Sequence, residues 1–539
     1  MRCRRPVGSR PFLIGIRDGR GEEGTTVTHT SLWAAIEARA ARSPDGELLV
    51  DEGGRRLTHR AFRDAAEATA AFLHTQGLGA GDTVTWQLPT RLESVVLVGA
   101  LSRLGVIQNP VMPVQREREL VFVTRQTGAS MLIVPPVWRG YDYPELARRV
   151  RDRVPGLELL VLDGPLPTGD PAVLPPPPAV PGTPEDAPVR WYFYTSGTTA
   201  DPKGARHTDA TIMAAGVGMA DRIGANERDR VALVFPFAHI GGCTTWLTAA
   251  LTHGVTMILT EAFHPEETPE LLRRERVTLA GAGTVFHQAW LAAQRRRPAG
   301  DPLFPQLRSC PGGGAPKPPG LHHEIRNELG GVGILAGWGM TEAPILTMAG
   351  PNDPDEALAR AEGRPTRGVE VAVVGPDGAA VPVGAEGELR VRGPQVMRGY
   401  VDARLDAEAF DDAGRLRTGD LGRVDEHGNV YVTGRIKDVI LRKGETISAK
   451  EVEDLLDAHP AVAEVTVIGL PDAERGELVC AVIVPTDPAI LPDLRTVRDF
   501  LDTREVMRQK FPERIEIVSA LPRNPSGKVL KKQLRERYA

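Results

Sequence analysis

The sequence predicts an α/β protein. A large N-terminal domain of α/β layers would carry a small β-barrel, and a small mobile α+β domain would follow it. Three observations support this. From residue 31 to residue 274, apolar residues at helical spacing alternate with short β-rich runs, the pattern of a parallel layer with crossover helices. From Val369 to Gly393 the chain reads VEVAVVGPDGAAVPVGAEGELRVRG, short strands with turn signals that suggest a small antiparallel barrel or sandwich, in which Pro376-Asp377-Gly378 marks a hairpin. Beyond residue 438 the order becomes strand, Gly444 turn, helix, strands, then helix and strand. A unit of about a hundred residues with its own texture fits a separate small domain.

Taken in order, residues 1–26 are basic at their start but carry only a short apolar run, Phe12 to Ile16, too short for a signal-peptide core. They are expected to be a disordered tail or an over-extended start. Ser31 to Ala41 places Leu32, Ala35, Ile36 and Ala40 on one helical face. Glu47 to Val50 and Leu57-Thr58 form a β pair around Asp51-Glu52-Gly53-Gly54. A helix over Arg60 to Gln76, a strand over Thr83 to Leu88 and a helix over Arg91 to Leu104 follow. Glu117 to Thr127 and Met131 to Val134 repeat the alternation, with a short strand at Leu159 to Leu162. Gly164 to Pro188 is dense in proline and reads as an extended surface connector. Past it, helices are expected over Ala210 to Ile223, Thr244 to Leu251 and Pro265 to Arg274, and strands over Val231 onward and Val255 to Thr260.

Composition narrows the function. The chain has 539 residues, 41% hydrophobic and 25% charged, with a net charge of -5, which gives no reason to expect nucleic acid or an anionic membrane as partner. Cys3, Cys243, Cys310 and Cys480 form no CxxC pair, which argues against structural zinc and a disulfide framework and for a reducing compartment. No run approaches the ~18 apolar residues of a transmembrane helix. A cytoplasmic protein is expected.

The connector leads into WYFYTSGTTADPKGARHT, residues 191–208. An aromatic strand end, Trp191 to Tyr194, gives way to Thr195-Ser196-Gly197-Thr198-Thr199 and then to Lys203-Gly204. Glycine lets backbone N–H groups approach an anion, hydroxyls donate hydrogen bonds, and lysine adds a point charge, so the stretch suits a polyphosphate. The G-x-x-x-x-G-K-[ST] pattern is absent from this stretch.

YTSGTTADPKG resembles the phosphate signature of the adenylate-forming (AMP-binding) superfamily, which includes acyl-CoA synthetases and aryl acid–CoA ligases. Further stretches resemble that family's motifs in order, over about residues 30 to 539. The resemblance implies an N-terminal AMP-binding domain over 27–434 and a mobile C-terminal domain over 435–539. Thr195, Ser196, Gly197, Thr198, Thr199 and Lys203 would hold the ATP phosphates. In VALVFPFAHIGG, His239 stands where the family places an aromatic or a histidine beside the substrate carboxylate. Phe235-Pro236-Phe237-Ala238 offers no aspartate for a substrate ammonium, whose unpaired burial would be costly, so an α-amino acid is disfavoured. Gly313, Gly314 and Ala315 would form the turn against adenine. In GWGMTE, Trp338 and Gly339 would stack on or border the adenine, Thr341 would contact the α-phosphate, and Glu342 with Thr198 would hold Mg²⁺, a hard cation that prefers oxygen. Asp420 and Arg435 would take the ribose, Lys437 would be the hinge, and Gly444 and Glu445 would line the coenzyme A channel. Lys528, in NPSGK, would be the terminal catalytic lysine, acting with His239 and Thr341.

The implied reaction uses ATP, Mg²⁺ and coenzyme A to convert a hydrophobic carboxylic acid first to acyl-AMP and then to a thioester. Coenzyme A is the expected acceptor because no carrier domain is appended. An acyl-AMP ligase that loads a separate carrier protein, or a degenerate nucleotide-binding protein, are the alternatives. A homodimer stays open.

Overall fold

The computed structural model describes residues 30–195, 202–314, 317–442, 445–472, 475–504, 507–524 and 527–539. The expected tail, 1–26, lies outside them. Ser31 opens the first helix, Leu32–Arg42, by accepting a hydrogen bond from the Ala34 amide, and Thr58 does the same for His59–Thr75. Helices Leu92–Leu104 and Asp209–Ile223 end on Gly105 and Gly224 in the left-handed region, as a glycine terminus predicts.

Six strands form the first sheet, in the order Gly204–Thr208, Val189–Tyr194, Ile107–Pro110, Thr83–Trp86, Met131–Val134 and Glu158–Val161. All pairs are parallel except the first. A second sheet orders Arg230–Leu233, Thr256–Leu259, Glu47–Val50 and Arg56–Thr58. Both are buried on both faces. Met131 and Ile133 enter one core while Leu132 and Val134 enter another, and Met257 and Leu259 are likewise split from Ile258. The fully buried Trp86, Trp191 and Trp290 anchor these cores, and truncating such a side chain costs about 3–5 kcal/mol. Single bridges through Leu279 and Ser309 carry the second sheet toward a third, Cys310–Gly313, Ile334–Met340, Ala343–Met348 and Arg364–Pro365.

Of the small barrel or sandwich expected after residue 369, the chain forms one sheet packed on another. Glu370–Val374, Gly387–Arg392, Leu416–Val424 and Val430–Arg435 make an open four-stranded antiparallel meander with its first and last strands at opposite edges. Its apolar side closes instead on Trp338, Ala343 and Leu346 of the third sheet, so closure is unnecessary. A difference lies at Gly241–Trp246, expected to be a turn running into a helix. It is wound as a π-helix that continues into Leu247–His253.

A one-turn 3₁₀ segment, Ile436–Asp438, leads from the meander into the last sheet. That sheet pairs Val439–Arg442 with Glu445–Ser448 and carries the long hairpin Val462–Asp472 and Gly476–Pro485. Helices Ala449–Asp457, Leu494–Asp502 and Lys531–Tyr538 cover it, around cores of its own. Among the described residues no helix is long and apolar enough to cross a membrane.

Candidate active site

Thr195, Gly313 and Thr341 lie at or just past the carboxyl ends of their strands, where open α/β layers bind ligands. Val189–Tyr194 ends at Thr195, whose amide bonds the Lys203 carbonyl and so closes the neck of the intervening loop. Ser196, Gly197, Thr198 and Thr199 lie outside the described residues. The strand leaving the loop, Gly204–Thr208, pairs on its other side with residues 398–401 through Arg206, Val401 and Arg398 amides. This pairing places Lys203 Nζ 5.4 Å from the centre of the Tyr400 ring. The Tyr400 hydroxyl in turn donates to Glu342 Oε1 at 2.8 Å, within a buried pocket. Burial, followed by the Glu342 charge, raises the Tyr400 pKa, so the phenol stays a donor.

Thr341 and Glu342 form the tight link between the antiparallel strands Ile334–Met340 and Ala343–Met348, not the start of a helix. Glu342 is 6% exposed and makes no ion pair within 4.0 Å among the described residues. A buried carboxylate with one oxygen taken by a neutral hydroxyl and no ion-pair partner within 4.0 Å among the described residues fits a divalent cation. Another group, His322, His323 and Asp355, also brings its ligand atoms within 4.8 Å. It fits a metal poorly. His322 Nδ1 accepts from the Ile334 amide, so Nε2 keeps its proton and faces Asp355, which Arg326 already neutralises.

Among the residues that the resemblance assigns to adenine and ribose, Trp338, Asp420 and Arg435 are joined by hydrogen bonds. Gly313 has no room for a side chain, because a Cβ there would lie 2.2 Å from the Gly337 carbonyl oxygen, and Gly314 sits at φ +80°. Ala315 lies outside the described residues. Gly339 packs its α-carbon against the Ile345 backbone, and Ile345 itself holds φ 48°, a strained value for a β-branched residue. Trp338 is 6% exposed and spends its indole N–H on Asp420 Oδ2 at 2.8 Å. The other Asp420 oxygen accepts from Arg435 Nε at 2.6 Å. The Trp338 N–H thus orients the Asp420 carboxylate, a contact that the stacking role did not include. Trp338→Phe, which keeps the ring and deletes that donor, is expected to raise the KM for ATP about tenfold, since an unmet buried hydrogen bond to a charged group costs about 1.5–3 kcal/mol. Steady-state kinetics with ATP as the varied substrate would check it, and an unchanged KM would refute the orienting role.

Lys528, on the C-terminal unit, lies within electrostatic range of Arg435, Asp420 and Asp438. Its loop is held by Gly527 and Lys528 amides on Asn524 and by Arg523 on the Gly527 carbonyl. A Cβ at Gly527 would sit 3.1 Å from Val285, at the start of helix Thr284–Arg295. Lys528 is exposed as a residue, and its pKa is lowered, first by desolvation and then by nearby Arg435, with Asp420 and Asp438 opposing. Lys437 is exposed in the Ile436–Asp438 turn, and its neighbour Asp438 is tied to Arg535 at 2.9 Å. Gly444 lies outside the described residues, and Glu445 opens the strand Glu445–Ser448 opposite Arg442.

His239 stands apart from this cluster. Its contacts are within its own turn: Nδ1 accepts from the Gly241 amide at 3.1 Å, and the ring meets Phe235 edge-on at 6.1 Å. Nε2 therefore carries the proton of a neutral ring whose pKa burial lowers to about 4. Cys243, one turn on, is buried and its thiol pKa is raised by desolvation, which suits packing rather than nucleophilic use. Tyr400 was not singled out by sequence. Neither was His207, which bonds the Thr341 carbonyl through Nε2 at 2.9 Å.

Comparison with known proteins agrees with this geometry. Residues 36–401 match the AMP-binding enzyme model, and residues 451–528 match the AMP-binding enzyme C-terminal domain. The chain belongs to the AMP-binding enzyme family. A medium-chain fatty-acid–CoA ligase of Escherichia coli (strain K12) is 31% identical over 509 residues, 92% of this chain and 88% of its own. A salicyl-AMP ligase / salicyl-S-ArCP synthetase of Mycobacterium tuberculosis (strain ATCC 25618 / H37Rv) is 33% identical over 530 residues, 94% of this chain and 90% of its own. Among solved structures, ATP-bound MatB from Rhodopseudomonas palustris superimposes with a TM-score of 0.84 at 26% identity, covering 95% of this chain and 99% of that one. In this AMP-binding enzyme the large and small units therefore match that family's two parts.

Proposed function

We propose that this AMP-binding enzyme is an AMP-forming acid–thiol ligase that activates an uncharged hydrophobic carboxylic acid and transfers it to coenzyme A. The observation that carries the reading is the hydrogen-bonded Trp338–Asp420–Arg435 cluster, with Lys528 of a separately folded unit within electrostatic range of Arg435 and Asp420. A positive group brought to one end of a nucleotide site suits a reaction in which negative charge gathers on the α-phosphate.

In the first half, a carboxylate oxygen attacks the α-phosphorus of ATP, the bond to the β-phosphate oxygen breaks, and pyrophosphate leaves. The chain contributes position and charge rather than a covalent step. Asp420 and Arg435 hold the ribose, Lys203 meets the outer phosphates, Thr341 faces the α-phosphate, and Lys528 bridges it to the carboxylate. Glu342 and Thr198 would hold Mg²⁺, which neutralises phosphate charge when bound. Neutral His239 sits beside the acyl group, where its Nε2–H donates to the carboxylate oxygen. In the second half, the small unit turns about Lys437, withdraws Lys528 and presents the 443–445 loop. The thiol sulfur then bonds the acyl carbon, AMP leaves with the bonding pair, and the thiol proton passes to solvent.

A second reading, transfer to a carrier protein, is favoured by the salicyl-S-ArCP synthetase among the relatives. One experiment separates the two. Pyrophosphate release from Mg-ATP is measured across aliphatic, alicyclic and aromatic acids, with coenzyme A or holo-carrier, and products are weighed by mass spectrometry. Acid-dependent pyrophosphate with an acyl-CoA mass is the expected result. Acyl-AMP that accumulates with coenzyme A but transfers to holo-carrier would overturn the coenzyme A assignment, and silence with every acid would overturn the ligase reading.

A further inference from the structure

His207 lies on the strand that leaves the phosphate loop, in register with Trp191, and its side chain is wholly buried. Three groups surround its ring. Nε2 lies 2.9 Å from the Thr341 carbonyl oxygen, Nδ1 lies 3.0 Å from Thr211 Oγ1, and Phe193 packs edge-on at 6.1 Å. A backbone carbonyl only accepts, so Nε2 must carry the proton. Burial keeps the ring neutral at physiological pH. Nδ1 is then an acceptor, and the Thr211 hydroxyl is the donor that faces it. That hydroxyl also accepts from the Thr208 amide at 3.0 Å, and the Thr208 carbonyl at 2.9 Å competes for its proton. The imidazole is thus fixed in one tautomer by groups at the cap of helix Asp209–Ile223.

What the ring holds is the link that carries Thr341 and Glu342. Two carbonyls of this link are bound from outside it: Thr341 by His207, and Glu342 by the Met397 amide at 2.8 Å. The link is also loaded, since Ile345 two residues beyond Ala343 sits at φ 48°. Met397 belongs to the segment that also supplies Tyr400, so both bonds tie the Glu342 link to chain that flanks the phosphate-loop strand. Without the His207 bond, the Thr341 side of the link would be free to relax away from the loop.

We propose that His207, protonated on Nε2, is a positioning residue for adenylation, pinning the Thr341 carbonyl and thereby the Thr341–Glu342 link in register with the strand that leaves the phosphate loop. It touches no reactant and acts through the backbone. The proposal rests on the ligase reading for its kinetic consequence, though not for its geometry.

The test compares His207→Gln, His207→Asn and His207→Leu in the full chain. A glutamine amide nitrogen occupies the position of Nε2, whereas asparagine reaches only that of Nδ1. His207→Leu and His207→Asn are expected to lower kcat for acid-dependent pyrophosphate release about tenfold, the loss that ~1.4 kcal/mol of positioning represents. Their apparent Mg²⁺ requirement should rise, and thioester formation from supplied acyl-adenylate should stay within about twofold of wild type. His207→Gln should recover most of the rate. In the unsubstituted protein, ¹⁵N-histidine NMR should show an Nε2–H tautomer for His207. An Nδ1–H tautomer would overturn the proposal whatever the enzyme's substrate. So would glutamine and asparagine variants of equal activity, or an equal loss in both half-reactions. If wild type releases no pyrophosphate with any acid, the ligase reading fails and the tautomer alone decides the geometry.

Discussion

Replacing Lys528 by alanine is expected to slow acid-dependent pyrophosphate release about a hundredfold or more, the scale on which removal of one preorganised charge-stabilising donor acts. Thioester formation from supplied acyl-adenylate should change by less than about threefold, because on the proposed rotation the small unit would by then have carried the lysine away. The argument runs from sequence to site. Asn524 and Arg523 shape the loop that ends in Lys528, Gly527 lets it pass close to Val285, and Arg435 repels the ammonium while Asp420 and Asp438 retain it. A group so placed is costly to hold without an anion, and an α-phosphate between it and Arg435 removes the repulsion. Lys528→Ala touches no core residue, so thermal unfolding should be unchanged. Adenylation at the wild-type rate in this variant would refute the assignment.

The second large effect is on stability in acid. His59, His207 and His287 are each 3% exposed or less, and desolvation lowers each pKa to about 4. The unfolded chain protonates these rings near pH 6.5, the folded one only near 4, so stability is lost as pH falls through that window and no further below it. Each ring contributes roughly 3 kcal/mol across the whole window. Asp457 acts in the opposite sense. Burial, then Asp454, raises its pKa to about 6, so it takes up a proton in the native state and offsets about one histidine. The net loss of roughly 5 kcal/mol or more is comparable to the whole stability of many domains. Urea midpoints should therefore drop steadily from pH 7 to pH 4.5. His59→Gln should flatten that slope by about 1.4 kcal/mol per pH unit, one proton's share. A midpoint independent of pH, or an unaltered slope in the variant, would show that these rings are hydrated.

Much of the layer order was legible because strand and helix periods alternate cleanly. Ser31, Thr58 and Ser448 each cap the helix that their residue type announces. The motif residues were legible as types. Their partners were not, since these come from far along the chain: Trp338 meets Asp420 across 82 positions, and Glu342 meets Tyr400 across 58. Barrel and sandwich stayed open for the meander because alternating strands specify a buried face but not what covers it, and here the third sheet covers it. The π winding at Gly241–Trp246 was unreadable because two glycines and two threonines in a row carry no helical preference. His207 escaped notice because a histidine in a buried strand position is usually just packed. Its alternation with Ala205 and its place just after PKG were the available signals.

The aromatic ring between Lys203 and Glu342 has one more consequence. Oppositely charged side chains at this range would ordinarily collapse onto each other and cancel. Tyr400 meets the cation with its π face and the anion with its hydroxyl, so it partly satisfies each while keeping them apart. The ring acts as an insulator between two poles. The cost of separating them is met when the protein folds and not when ligand arrives, and the two poles are kept apart, ready for charges that the protein itself does not supply.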